Sequence, residues 1–173
     1  MDLGMVILRF LHIASGIFWA GSAMFFFFFL EPATRALGPQ AGPVMHFLVS
    51  RRQIAKIVTA AATVNVAAGA LVYWRVSNGF DPAWTGSAMG IGLTIGALAA
   101  IAAWAMGLTA IAPTVEKLDA LGSRMAAAGG PPTPEQQAEM ARLSDKLHRL
   151  GKVDISLIAV AVTFMAISRY LVR

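Results

Sequence analysis

Apolar positions in this chain gather into four runs that charge does not interrupt. Residues 10–30, 57–74, 82–115 and 155–168 contain no Lys, Arg, Asp or Glu. A helix needs about 20 predominantly apolar residues to cross a hydrocarbon core about 30 Å thick. The runs therefore predict an all-α polytopic membrane protein, with four transmembrane helices in a bundle at about residues 5–30, 54–76, 85–112 and 152–172. Span 1 would be about 39 Å long at 1.5 Å per residue, so it tilts or protrudes. Span 4 is lengthened by Asp154 and Arg169, placed near its ends to reach the two interfaces. Tyr73, Trp74 and Tyr170 close their spans with aromatic rings suited to the headgroup layer.

The polar connections carry patterns of their own. Between spans 3 and 4, Leu118, Leu121 and Met125 recur at steps of three and four, as do Met140, Leu143, Leu147 and Leu150. Such stripes predict amphipathic helices. Thr133, Pro134 and Gln136 form a helix start: an N-cap, a first-turn proline and the reciprocal partner of a capping box. Span 3 is thus expected to continue past Pro113 as a helix, turn at residues 129–132, and return over residues 134–150. The result is an antiparallel hairpin over residues 114–150. The connection between spans 1 and 2 holds Pro32, Pro39 and Pro43, and its residues 44–49 are apolar with basic residues following, a pattern suited to the membrane interface.

Charge then orients the spans. The 1–2 and 3–4 connections hold Arg35, Arg51, Arg52, Lys56, Lys117, Arg124, Arg142, Lys146, Arg149 and Lys152, against Arg9, Arg75, Arg169 and Arg173 on the other side. The positive-inside rule places both connections in the cytoplasm and both termini outside an inner (plasma) membrane. The N-terminus lacks the basic region of a cleaved signal, so the first run reads as a retained span. Across all 173 residues, 57% are hydrophobic and 13% charged, far to the membrane side of a soluble domain. The net charge of +5 belongs to the loops and comes with no nucleic-acid motif. Cysteine is absent, which excludes disulfides, thiolate metal sites and cysteine nucleophiles. Nine methionines are scattered without a repeated ladder.

Few residues could carry chemistry. His12 is the only histidine within a span, with Arg9, Ser15, Gly16 and Trp19 on its helix face. An ionisable residue at such depth is a functional candidate by default. Its competing roles are a neutral hydrogen bond to a neighbouring helix, a shallow watery position, or the ordering of Arg9. Imidazole there suits haem ligation, metal passage or proton relay. Counting from the outer ends, Gly69, Leu93 and Met165 fall in the same layer. No second histidine does, which leaves a five-coordinate haem, a His12/Met165 pair or a ligand from another subunit. Arg9 could meet a propionate or snorkel among headgroups. Asn65 could bond a neighbouring helix or line a polar site with His12. Gly92, Gly96, Ala100, Ala103 and Gly107 give span 3 a small-residue face for close packing, within the bundle or between copies in a homo-oligomer.

The stretch "LHIASGIFWAG", with Leu11, His12, Ile13, Trp19 and Gly21, resembles the first span of small membrane proteins of the HemJ-like and CopD-like group. Pro32 after the span and "SRRQIAK" before span 2 are also similar. The resemblance implies a four-helix membrane protein in which His12 is the counterpart of a proposed haem ligand. The leading expectation is a haem-b-binding protein in electron transfer or a haem-linked oxidation, with His12 as axial ligand and Arg9, Trp19 and Met165 around the cofactor. The alternatives are a transporter or channel-like module for a metal (at His12) or a small solute, and a non-catalytic oligomeric subunit with a protein partner at the hairpin.

Overall fold

The computed structural model describes residues 2–171, and every regular element among them is helical. Four helical stretches are long and apolar enough to cross a membrane: Leu3–Arg51, Ile54–Val76, Ala88–Ala128 and Pro134–Tyr170. Each overlaps one of the four apolar runs and extends beyond it. The expected end of span 4 at 172, and Arg173, lie outside the described residues.

The first stretch begins with α1 (Leu3–Phe25), capped by Asp2, whose carboxylate accepts the Met5 N–H at 3.1 Å. The chain does not leave the helix at residue 30, as expected from the prolines beyond. It passes through a π-helical turn (Phe26–Leu30) into α2 (Glu31–Leu37), a 3-10 turn (Gly38–Ala41), α3 (Gly42–His46) and a second π-turn (Phe47–Arg51). Each proline occupies one of the first two positions of a new segment. Pro32 also explains the first π-turn: its ring would strike the carbonyl of Phe28, four residues back, so the turn widens.

Residues 54–76 form α4 (Ile54–Val76), and a short α5 (Pro82–Thr85) leads into α6 (Ala88–Met106). A third π-turn (Gly107–Ile111) precedes α7 (Ala112–Ala128). The cause repeats, since Pro113 would strike the carbonyl of Thr109. The helix does run past Pro113, and it ends at Gly129, whose φ of 69° is left-handed. α8 (Pro134–Ile167) starts with the expected capping box: Thr133 Oγ1 accepts the Gln136 N–H, and Gln136 Oε1 accepts the Thr133 N–H. One expectation fails here. The return helix and span 4 are not separate elements, because α8 continues through Gly151 without a break. The missing side chain of Gly151 makes room for a ring, since a Cβ there would lie 2.9 Å from Phe27 Cδ2.

The core is built of small residues. Ala62, Ala99, Ala100, Ala103 and Ala161 are buried with Trp19 and Ile158. A Cβ on Gly96 would lie 3.2 Å from both the Ala161 carbonyl and Met165 Cγ. The small-residue face of α6 thus packs against α8 of the same chain. Backbone approaches backbone there. Large apolar side chains point outward instead, among them Phe10, Ile17, Phe29 and Leu98, as expected of a helix exterior facing lipid.

The two ends of the molecule differ. At the terminal end, Arg75 pairs with Asp2 at 3.1 Å and lies over Gly4. Tyr73 is edge-on to Trp84, and its hydroxyl meets Thr94 Oγ1 at 2.6 Å. At the α7 end, Leu121 and Leu143 are buried where α7 and α8 pack. His46 meets Asp119 and Ser123, each at 3.1 Å, and ties α3 to α7.

Candidate functional site

His12 faces α4, where it meets Asn65. Its Nδ1 lies 2.9 Å from the Asn65 backbone carbonyl. A carbonyl only accepts, so Nδ1 carries the proton and donates it. The Asn65 side-chain Nδ2 donates to the His12 carbonyl at 2.6 Å. Its 3.2 Å approach to His12 Nδ1 is then a contact between two donors, not a second hydrogen bond. The arrangement is reciprocal: each side chain bonds the other residue's main chain.

Two glycines make this approach feasible. A Cβ on Gly69 would lie 2.8 Å from His12 Cε1 and Nδ1, and one on Gly16 would lie 2.6 Å from Asn65 Nδ2. Each glycine is four residues after the polar residue on its own helix. Each therefore donates the regular helical hydrogen bond to the very carbonyl that the facing side chain also bonds. A carbonyl has two lone pairs and can accept both. The pattern polar-x-x-x-Gly occurs once on α1 and once on α4, and the two copies interlock. Gly69, placed in the His12 layer by counting, is indeed beside it. Asn65 is buried, as one of few polar side chains in the core.

The other expected ligand residues are elsewhere. Met165 lies against Gly96 of α6. Arg9 is exposed and forms no ion pair among the described residues. Trp19, two turns beyond His12, is buried in the central core. The His12 ring packs at the seam between α1 and α4, whereas Met165 packs against α6. With Nδ1 protonated, Nε2 keeps its lone pair.

A second site lies toward the α7 end. Residues of α1, α2, α4, α6, α7, α8 and two π-turns line a partly open cavity of about 170 Å³. Its walls are mainly apolar, including Trp19, Val58, Trp104, Leu108 and Ile155. Both π-turns that precede a proline line it, through Phe26, Phe27, Gly107, Leu108 and Ile111. A π-turn adds a residue to the helical cycle and so bulges the wall, a feature frequent at functional sites. Trp104 is fixed by donating its indole N–H to Thr63 Oγ1 at 3.0 Å.

Two carboxylates line this cavity. Glu31 Oε1 accepts from His148 Nδ1 at 2.7 Å and from Arg35 Nε at 3.1 Å. Phe27 stacks on the His148 ring at 5.8 Å. Asp154 is different. It is 7% exposed, and its Oδ1 is the one buried side-chain polar atom among the described residues without a hydrogen-bond partner. Asp154 was expected to reach an interface from the end of span 4. Instead it points inward, because it continues the stripe of Leu143, Leu147 and Gly151 into Ile158 and Ala161. That register was readable in the sequence, at steps of three and four throughout. The stripe runs unbroken because the return helix and span 4 are one element, α8.

No family model matches this chain, and neither a curated protein nor a solved structure matches it.

Proposed function

We propose that the chain is a membrane protein of transporter or channel type, in which the cavity near the α7 end receives a small solute and the His12–Asn65 seam closes the opposite half. The observation that carries this reading is the partnerless, buried Asp154 carboxylate in an apolar cavity. An unpaired polar group in such a place costs on the order of 1–3 kcal/mol, and a structural role gives no return for it. A ligand that satisfies it does. The distribution of basic residues orients the α7 end, with its helical hairpin, toward the cytoplasm. The solute would then enter from that side, and the four helices would form one bundle in the plane of the membrane.

Because the chain has no cysteine, a single introduced thiol reports access without background. Ser22 lines the cavity, and Ser22→Cys changes one atom. In reconstituted vesicles, Ser22→Cys should react with membrane-impermeant thiol reagents from the α7 side alone. Adding His12→Ala should open a route from the terminal side. A thiol that reacts from neither side sinks the cavity reading. One that stays closed to the terminal side in the double variant removes the seam from its role as the barrier. A Soret band in the purified protein that vanishes in His12→Ala would replace this reading with haem binding.

A further inference from the structure

We infer that the solute taken by this cavity is an organic amine in its protonated form, with an apolar body. This rests on the cavity reading above and adds the chemical class of the ligand. Asp154 and Glu31 are the only charged side chains in the lining, and both are acidic. Glu31 is already engaged by His148 and Arg35 at the rim. Asp154 is not, so one acceptor atom, Oδ1, awaits a donor. A protonated amine supplies both the hydrogen bond and the compensating charge. The walls beyond it suit the rest of such a molecule. Trp19 and Trp104 offer indole rings, which attract ammonium groups, and Val58, Leu108 and Ile155 offer aliphatic surface.

Other ligand classes fit less well. A divalent metal needs several oxygen or nitrogen ligands. Among the described residues no three His, Asp or Glu side chains converge. An anion would face two carboxylates and no basic side chain in the lining. A wholly apolar solute would leave Asp154 Oδ1 as it is, buried and unpaired.

The test compares the full-length Ser22→Cys protein with a control, Ala127→Cys, at an exposed position of α7. Each is reacted with 2-aminoethyl methanethiosulfonate, a cation, and 2-sulfonatoethyl methanethiosulfonate, an anion. The cation-to-anion rate ratio at Ser22→Cys should exceed the control ratio by roughly tenfold, the scale expected for one uncompensated charge near a partly solvated site. Asp154→Asn and Asp154→Leu should each return it to the control value. 2-Phenylethylamine should slow the labelling, and phenylacetate should not. A ratio equal to the control, or one unchanged in both Asp154 variants, overturns the amine while leaving the cavity in place. A thiol unreactive toward both reagents overturns the cavity itself. Using two Asp154 variants keeps the result readable if one fails to fold.

Discussion

The two halves of the molecule handle buried polarity in opposite ways. In the seam, His12 and Asn65 bond each other's main chain, and two glycines remove the atoms that would prevent it. In the cavity half, two proline-linked π-turns push the helices out of regular packing, and Asp154 Oδ1 has no partner. The difference separates a polar group that holds helices together from one that is held for something else. Removing the first should destabilise the protein, whereas removing the second should stabilise it.

The largest expected effect is at the glycines. Gly69→Ala places a methyl 2.8 Å from a ring that is itself hydrogen-bonded, so it should cost roughly 1–3 kcal/mol by overpacking. Thermal or denaturant unfolding in detergent measures this. Adding His12→Ala should give a total loss well below the sum of the two single losses, because the methyl then occupies part of the space of the ring. Additive losses in the double variant would mean that the two residues are not in contact.

Next comes the sign of the change at Asp154. Asp154→Leu should raise stability by roughly 1–2 kcal/mol, since an apolar side chain replaces an unsatisfied acceptor. A clear loss of stability would place Asp154 with His12, as a structural polar residue, and erase the contrast between the halves. His12→Ala alone should cost about 0.6–1.7 kcal/mol, the range of hydrogen bonds between membrane helices.

The smallest effect lies outside both regions. On the exposed face of α8, the hydrogen bond from Arg142 holds the Glu139 carboxyl below its usual range. A depressed folded-state pKa adds stability at pH above the ordinary carboxylate value. That addition disappears as pH falls through the folded value. Glu139→Gln should therefore slightly lower the unfolding temperature at neutral pH and leave it unchanged in acid. Such an exposed pair is strongly screened, so a large shift at neutral pH would point to a buried role that its exposure contradicts.

Several features were legible in the residues alone. The four apolar runs, the Thr133 capping box, the turn at Gly129 and the passage of the helix beyond Pro113 all follow from local chemistry: hydrophobic length, side-chain caps, and the positions a proline tolerates. The depth count that put Gly69 beside His12 worked because two straight helices advance at the same rise per residue. The passage of helix through Pro32, and its resumption at Pro39 and Pro43 after the break at Gly38, departs from the expected loop. A proline marks the start of a helical segment as well as the end of one, and neighbouring contacts decide which.

What the sequence by itself determined is which segments are helical and apolar, because burial in lipid demands length and internal hydrogen bonding from each segment separately. What only the tertiary structure decided is which polar groups meet. His12 finds Asn65 across 53 positions of chain, the α6 glycines close on α8, and Asp154 is left facing a cavity. Pairing depends on how helices rotate about their axes and where π-turns shift their register. Those rotations are set by the sum of contacts between helices, which no single segment contains.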